Sequence, residues 1–280
     1  MLKIYKKIND VALRLITSEG SAEIYIPTDS KYNQIRNYAY GNMIDDNSSL
    51  NVELYNENLF YKHNLIIPSN IIRIGNNAFL NANITGKITV PLTCQELGVG
   101  AFRGTNISEV VIYSGFTSNN ASAYAFANCP NLTKATICEP VSILPSFAFN
   151  ESTALEEVYL PTTITNLSTS CFYKIYNVKF VKFTGQTPPV ISSNTFKYAK
   201  TASLLVPYQQ FDAYNTTTNL LTFGNPIYGY GEFNTGDTLP SSISGYTIAW
   251  YPTLDDAQNS TNSITTCPNS GTMYAVCTPA

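Results

Sequence analysis

The sequence predicts an α/β-type repeat solenoid of short parallel strands joined by irregular return segments, followed by a small all-β C-terminal module. A phenylalanine returns every 23 or 24 residues, a small residue precedes it, and a short strand-like run follows it. A fixed period of this size is typical of stacked repeats, because each unit can bury its apolar face only on its neighbours. The recurring residues are Phe79, Phe102, Phe126, Phe149, Phe172 and Phe196.

Each repeat is interpreted as one strand, a turn, and a compact return segment that buries the phenylalanine. The strand has the form L-x-x-V-x-I, as at Leu155, Val158 and Leu160. Its last two apolar positions alternate with outward-facing ones, which indicates a half-buried strand. We therefore expect the strands to form a long parallel sheet on one side of the solenoid.

Two runs of sequence resemble the BspA-type leucine-rich repeat. They are I-x-x-I-G-x-x-A-F from Ile71 to Phe79 and A-F-x-x-C-x-x-L-x-x-x-x-I from Ala125 to Ile137, within a resemblance that spans residues 62–223. The resemblance implies a curved leucine-rich-repeat solenoid of a kind found largely in surface-displayed proteins that bind other proteins or host material. It also implies that the repeat itself carries no catalysis. A likeness of this kind identifies a fold much better than a function.

The first 61 residues are expected to precede the regular array. Residues 1–20 are interpreted as a strand and a short helix, and residues 21–43 as a divergent first repeat with tyrosine in place of phenylalanine. The remainder, up to residue 61, is interpreted as a hairpin. This hairpin is either a cap that keeps the core from water or a docking element.

The period fails after Pro207, where Tyr208, Phe211 and Tyr214 lie three residues apart, as on one side of a helix. We expect this helix to cap the array. Residues 224–242 are rich in Gly, Pro, Asn and Thr and are predicted to form a linker. Residues 243–280 are predicted to form a small β module, which is too small to be stable alone. It must pack on the solenoid, on a copy of itself, or on a partner.

Composition bears on partners and location. A net charge of -3 gives no reason to expect binding to nucleic acid. The sequence contains no run of 18 apolar residues, so it predicts no segment that spans a membrane. The N-terminus lacks the apolar core and cleavage site of a classical signal peptide. A signal removed beforehand, residence inside the cell, and assembly into a virus particle all remain open. Of these, display at an extracellular or virion surface is the location that we expect.

Catalysis has little support in the sequence. His63 is the only histidine, which limits Ser-His and Cys-His schemes, and neither G-x-S-x-G nor a phosphate-binding glycine loop occurs. Glu156 and Glu157 cannot act as a glycosidase pair, because adjacent residues on a strand point to opposite faces. No catalytic residue, cofactor or metal is predicted. The acidic pair Asp255-Asp256 is interpreted as a solvated loop rather than a calcium site.

Five of the six cysteines fall into two groups. Cys129, Cys138 and Cys171 occupy repeat positions and are interpreted as small core or loop residues. Cys267 and Cys277 lie ten residues apart beside predicted strands in the tail. In an oxidising compartment this pair would form a disulfide that staples the module.

The register predicts which side chains lie on the outer face of the sheet. Four of them, Lys87, Glu109, Lys134 and Glu157, should form an alternating charge ladder across strands that lie about 4.8 Å apart. Toward the C-terminal end the outward positions include apolar and aromatic residues beside Lys182, and exposed aromatic residues beside a cation resemble an interaction hot spot. The alternative is that the C-terminal segment folds back over them. The candidate binding residues on this face are Val111, Tyr159, Phe180, Lys182 and Leu205.

The tail supplies two further candidates, Trp250 and Tyr251. They form either an aromatic contact site or the core of a tiny sheet.

Together these features favour a non-catalytic recognition or adhesion module that binds a protein or glycan on a cell surface through its strand face. The alternative is a structural component of a virus particle or appendage, such as a fibre or decoration protein, that contacts neighbouring subunits through its terminal segments. A homo-oligomer held by the C-terminal module is also consistent with the sequence. An enzyme acting on glycans is the third hypothesis.

Overall fold

The computed structural model describes residues 65–280, apart from 68, 117–121, 193, 200–201, 218–219 and 221–225. Nearer the N-terminus it describes the backbone of five strand segments, at 4–8, 12–16, 21–25, 34–35 and 62–65. The predicted hairpin before residue 61 lies outside these residues.

The regular secondary structure of the described chain is mostly short strands, joined by turns and irregular segments. Two short α-helices, α1 (Phe211–Asn215) and α2 (Leu254–Asn259), and a 3-10 turn at Tyr208–Gln210 complete it. The strands, in chain order, are β1 (Ile4–Ile8), β2 (Ala12–Ile16), β3 (Ser21–Tyr25), β4 (Gln34–Ile35), β5 (Lys62–Leu65), β6 (Arg73–Ile74), β7 (Ile84–Val90), β8 (Glu96–Leu97), β9 (Asn106–Ile112), β10 (Lys134–Ile137), β11 (Ile143–Leu144), β12 (Glu157–Leu160), β13 (Asn166–Leu167), β14 (Phe180–Phe183), β15 (Val190–Ile191), β16 (Ser203–Pro207), β17 (Ile227–Phe233), β18 (Ser242–Ile243), β19 (Tyr246–Tyr251) and β20 (Gly271–Pro279).

One long sheet runs through the whole described chain in the order β1-β2-β3-β5-β7-β9-β10-β12-β14-β16-β17-β20-β19-β18. Pairing is parallel from β3 to β17 and antiparallel beyond both ends. The two-residue strands form separate short sheets, β4-β6-β8 and β11-β13-β15. The predicted solenoid of short parallel strands is therefore confirmed, with about six turns.

The recurring phenylalanines form one stack along the core. Their rings lie face to face with centroids 4.8 to 5.6 Å apart, and all six are buried. The turn around each phenylalanine is tight, because the residue two positions before it has a positive φ in all six turns. Adjacent coils also approach closely: a Cβ on Gly98 would lie 2.4 Å from the backbone nitrogen of Asn76. Glycine is needed there because no side chain fits between the coils.

The N-terminal strands extend the array. β3 pairs parallel with β5 and β4 pairs parallel with β6, so these two strands occupy the places of a first coil. β1 and β2 then add an antiparallel hairpin at the edge of the long sheet. The prediction of a short helix within residues 1–20 is wrong for Ala12–Ile16, because these residues form a strand. The hydrogen-bonding edge of β3 outweighs local helix propensity here, as tertiary context often does.

The helix expected after Pro207 is present as α1, although the sheet continues beyond it into β17. Phe211 and Tyr214 on α1 are buried, and Tyr208 of the preceding 3-10 turn packs against the core. The Tyr214 hydroxyl donates a hydrogen bond to the Gly185 carbonyl at 3.0 Å. This satisfies the polar end of a large ring in the core.

The predicted linker at 224–242 differs from the structure, because strand β17 lies inside it. β17 pairs parallel with β16 and antiparallel with β20, so it joins the solenoid to the C-terminal strands in one sheet. Its glycines serve close packing: a Cβ on Gly229 would lie 3.0 Å from the Tyr208 Cβ and 3.1 Å from the Ala275 Cβ. The C-terminal module also differs from the all-β prediction, because it contains helix α2.

Candidate functional site

The charged ladder on the outer face follows the predicted register. Lys87 lies opposite Glu109, and Lys134 lies between Glu109 and Glu157. The four side chains form two ion pairs, with Lys87 Nζ 3.1 Å from Glu109 Oε1 and Lys134 Nζ 3.5 Å from Glu157 Oε2. Exposed pairs of this kind contribute about 0.2–1 kcal/mol each. They keep this half of the face polar and electrically balanced.

Val111 is not available to a partner, which contradicts its expected exposure. It sits between Thr89 and Thr136 in the register and is only 8% exposed. Directly opposed side chains on neighbouring strands lie within about 5.5 Å of each other. The two threonines are branched at Cβ and flank the valine on both sides, so little of it reaches solvent.

Tyr159 and Phe180 form a half-buried aromatic pair on the outer face. Their rings meet edge to face with centroids 5.5 Å apart. The Tyr159 hydroxyl donates to Glu157 Oε2 at 3.1 Å, and Lys134 Nζ lies 4.9 Å from the centre of the Tyr159 ring. Burial and the Glu157 carboxylate raise the pKa of Tyr159 to about 12. At neutral pH the ring is therefore an uncharged platform held in a fixed orientation.

β17 and the C-terminal module together cover the next part of the face. Lys182 Nζ lies 4.1 Å from the centre of the Tyr230 ring and 3.8 Å from Glu232 Oε1, and burial lowers the pKa of this lysine. Leu205 is 2% exposed and Ser203 is 1% exposed. Leu205 was expected to be exposed on the outer face, and this is wrong. The ammonium group of Lys182 is already paired with Glu232. Both residues instead fit the alternative, in which the C-terminal segment folds back over this part of the outer face.

Helix α2 holds this cover in place. Gln258 Nε2 donates to Ser203 Oγ at 2.8 Å, which ties the helix to β16. Thr253 caps the helix by accepting from the Asp256 backbone nitrogen at 3.0 Å. Asp256 in turn accepts hydrogen bonds from the side chains of Thr253, Thr261 and Asn262, which lower the pKa of its carboxyl. Half of the acidic pair predicted as a solvated loop is therefore a helix-capping group.

A cleft of about 380 Å³ separates α2 from the start of β14. Lys179 stands at its rim, with its Nζ 2.7 Å from Glu156 Oε2. The repeat pattern does not predict this cleft, although the T-x-x-D run at Thr253–Asp256 is a helix-start signal that predicts α2. Its lining residues are Asn177, Val178, Lys179 and Phe180 on the solenoid, and Leu254, Asp255 and Gln258 on the helix.

The aromatic candidates in the tail are core residues. The Trp250 ring lies 5.0 Å from both the Tyr208 and the Phe233 rings, and its Nε1 donates to the Pro240 carbonyl at 2.6 Å. Trp250 is 2% exposed and Tyr251 is 5% exposed. Of the two interpretations, the core of a small sheet is the one observed.

Cys267 and Cys277 do not form the predicted disulfide. Both are buried free thiols, and Cys267 Sγ donates to the Asn269 carbonyl at 2.9 Å. Burial also raises the pKa of Cys277 to about 12. Cys277 lies in β20 opposite Ile248.

Within the residues that the structure describes, no three His, Cys, Asp or Glu side chains lie together as a metal site would require. Across the same residues, no helix has the length and apolar character needed to cross a membrane.

Comparison with known proteins agrees with the architecture. The model of the BspA type leucine-rich repeat region matches six copies, over residues 6–123 and 73–203. No curated protein matches the chain.

Two solved structures are similar to the chain at low identity. A leucine-rich repeat protein from Eubacterium ventriosum ATCC 27560 is 16% identical, with a TM-score of 0.39 over 70% of this chain and 46% of that one. A leucine-rich repeat protein from Bacteroides ovatus ATCC 8483 is also 16% identical, with a TM-score of 0.25 over 72% of this chain and 71% of that one. The chain thus spans less than half the length of the Eubacterium protein. The repeat model covers most of the chain, and the chain belongs to the BspA-type leucine-rich-repeat family.

Proposed function

We propose that this protein is a non-catalytic recognition module, displayed at a surface, that binds a protein or glycan partner where Tyr159 and Phe180 meet the cleft beside α2. The observation that carries the proposal is the half-buried ring pair, oriented by Glu157 and Lys134, next to a concave space of about 380 Å³. Aromatic residues at the centre of a partly desolvated surface are typical of binding hot spots.

The surroundings of the cleft favour recognition over chemistry. Lys179 is paired with Glu156, Asn177 Nδ2 donates to the Thr153 carbonyl at 2.9 Å, and Gln258 is bonded to Ser203. Polar groups committed to the protein fix the shape of the site, whereas a catalytic site needs an acid, base or nucleophile free to react. Repeats of this family are typically non-catalytic and occur mostly in surface or extracellular proteins.

Both walls of the cleft are held in place by other contacts, which suits a partner whose shape already complements the cleft. The wall made by Phe180 belongs to the stacked coils, and the wall made by Leu254 belongs to a helix tied to β16 through Gln258. Little ordering is then required on binding, so the affinity lost to conformational entropy is small.

The proposal is tested by binding the full chain to a panel of immobilised glycans and extracellular proteins. We expect the double variant Tyr159→Ser/Phe180→Ser to lose at least tenfold in affinity for whichever component binds the native chain. Tyr113→Ser is the control, because it removes an aromatic ring that is 41% accessible and lies away from the cleft, just after β9. The proposal fails if the double variant binds as tightly as the native chain. It also fails if Tyr113→Ser is as damaging as the double variant.

A further inference from the structure

A second aromatic surface lies on the turns that carry the recurring phenylalanines, away from the outer face of the strands. We call it the turn surface. This surface is not a pocket; it consists of aromatic rings and cations on successive coils. Its members are Arg103, Tyr124, Phe147, Tyr173, Lys174, Tyr176, Lys197 and Tyr198.

Two of these aromatic residues stand in a backbone conformation that disfavours them. Tyr124 and Phe147 both have φ 60, at the position two before the buried phenylalanine. The same position holds Asn77 in the first described turn and Gly100 in the next, the residue types that tolerate a left-handed backbone. A bulky residue with positive φ is strained, and such strain is characteristic of functional sites. The core does not require these rings, because Asn and Gly serve the same turn elsewhere.

The strained pair is the end of a stack. The rings of Tyr124 and Phe147 are parallel to within 3°, with centroids 4.7 Å apart, and the Arg103 guanidinium lies 5.5 Å from the centre of the Tyr124 ring. In the next turn the equivalent residue is Ser170, which has no ring to continue the stack. Ser170 is only 5% exposed, whereas Phe147 is partly exposed, so a planar or chair-shaped ligand ring would contact the exposed part of Phe147.

Three tyrosines continue the surface on the following coils. The Tyr173 and Tyr198 rings meet edge to face at 5.1 Å, and Tyr176, which is 49% exposed, lies 5.8 Å from Tyr198. Lys174 Nζ is held 2.7 Å from Glu151 Oε1, and the exposed Lys197 Nζ lies 5.8 Å from the centre of the Tyr198 ring. Each coil from Arg103 to Tyr198 thus carries an aromatic ring, a cation or both.

The charge of the turn surface separates it from the strand face. On the strands from β7 to β17, each outward lysine has a glutamate partner, in the pairs Lys87–Glu109, Lys134–Glu157 and Lys182–Glu232. Among the described residues of the turns around the six phenylalanines are three cations, Arg103, Lys174 and Lys197, and one acid, Glu151. A chain of net charge -3 therefore presents a positive strip on this one side.

The geometry points to an anionic polysaccharide as the ligand of the turn surface. The faces of aromatic rings are electron-rich and attract the C–H groups on the face of a sugar ring, while the cations attract carboxylate or sulfate groups. Coils stacked about 4.8 Å apart repeat at a length comparable to one hexose unit. An extended chain laid across the coils meets a ring or a cation at each step. This site is independent of the strand face.

The test uses affinity electrophoresis of the full chain through gels that contain polygalacturonate, heparin or dextran. We expect polygalacturonate or heparin, or both, to retard the protein, with the retardation falling as NaCl screens the charges. Retardation by polygalacturonate alone assigns carboxylates as the recognised groups, and retardation by heparin alone assigns sulfates. Dextran is neutral and should have no effect. The inference is overturned if neither anionic polymer retards the protein, or if dextran retards it equally.

Variants locate the site and separate it from the strand face. Tyr124→Asn/Phe147→Asn installs the residue that the first described turn already uses at this position, and Arg103→Gln/Lys197→Gln removes two exposed cations. Each pair should weaken binding at least tenfold, whereas Lys87→Gln and Tyr159→Ser/Phe180→Ser should bind as the native chain does. Far-UV circular dichroism checks that each variant is folded.

A further arm excludes simple polyanion binding. The full chain is titrated with a single-stranded oligonucleotide that matches the heparin chain in total charge. Binding to the oligonucleotide as tight as to the polysaccharide would overturn the inference, and so would full retention of polysaccharide binding by both turn-surface variants.

Discussion

At the scale of single residues, the position before each buried phenylalanine shows how the repeat tolerates change. Alanine holds it at Ala101 and Ala148, whereas Cys171 holds it in a later coil. All three side chains are fully buried. Because the space is already sized for alanine elsewhere, replacing the cysteine should leave the fold intact.

Cys171→Ala makes the pH dependence of stability measurable. Burial raises the pKa of the Cys171 thiol, so the folded chain keeps a proton that the unfolded chain releases above its ordinary pKa of about 8.5. The thiol contributes its full share of stability below that pH and loses it as the pH rises. Between about pH 9 and 11 the free energy of unfolding of the native chain should therefore fall more steeply than that of the variant, by about 1.4 kcal/mol per pH unit.

Urea unfolding under reducing conditions, at intervals from pH 7.5 to 11, measures the difference. The two chains should have similar slopes below pH 8. Parallel profiles up to pH 11 would contradict the account of Cys171 as a buried, protonated thiol.

At the scale of elements, β17 is the strand that connects the solenoid to the C-terminal strands. It pairs with β16 of the solenoid and with β20 of the tail. Its Tyr230 hydroxyl donates to the Phe183 carbonyl at 3.1 Å, which adds a buried tie across β16 to β14. An edge strand without such a cover exposes unpaired backbone groups to aggregation. β17 and the strands beyond it remove that edge from the array.

Gly229→Ala should loosen this closure. The added Cβ meets the Cβ atoms of Tyr208 and Ala275 at 3.0 and 3.1 Å, so one strand must shift. Overpacking of this kind costs about 1–3 kcal/mol. Gly185→Ala is the control, since its Cβ would meet its nearest neighbours at an ordinary 3.4 Å. Thermal unfolding of both variants provides the measurement, and equal melting temperatures would contradict the close contact inferred at β17.

The elements also show how far sequence alone reaches. The repeat period predicts the outward register, so Lys87, Glu109 and Lys134 could be placed opposite one another before the structure was seen. The same period contains no information about the tail. Whether Leu205 is open or covered depends on pairing between β16 and β17 and on the Gln258 contact, which are long-range and outside the repeat. The cleft shares this limit, because one of its two walls is α2.

At the scale of the whole molecule, one sheet connects most of the described strands, and a stack of aromatic rings runs through the core from Phe79 to Phe196. In such an array each coil contacts mainly its neighbours, and the ends need polar caps. The antiparallel strands beyond β3 and β17 fill these places. The shape of the cleft is therefore set by both the regular coils and the irregular cap, which places the proposed binding site where the period ends.

Site-specific photo-crosslinking tests the proposed binding site most directly. p-Benzoylphenylalanine replaces Asp255, which is exposed at the rim of the cleft, or Leu92, which is 62% exposed near the opposite end of the regular coils. Each protein is irradiated with the strongest binder from the glycan and protein panel. We expect the probe at position 255 to crosslink to the ligand and the probe at position 92 to leave it free. Crosslinking from position 92 alone, or equally from both positions, would contradict recognition at the cleft.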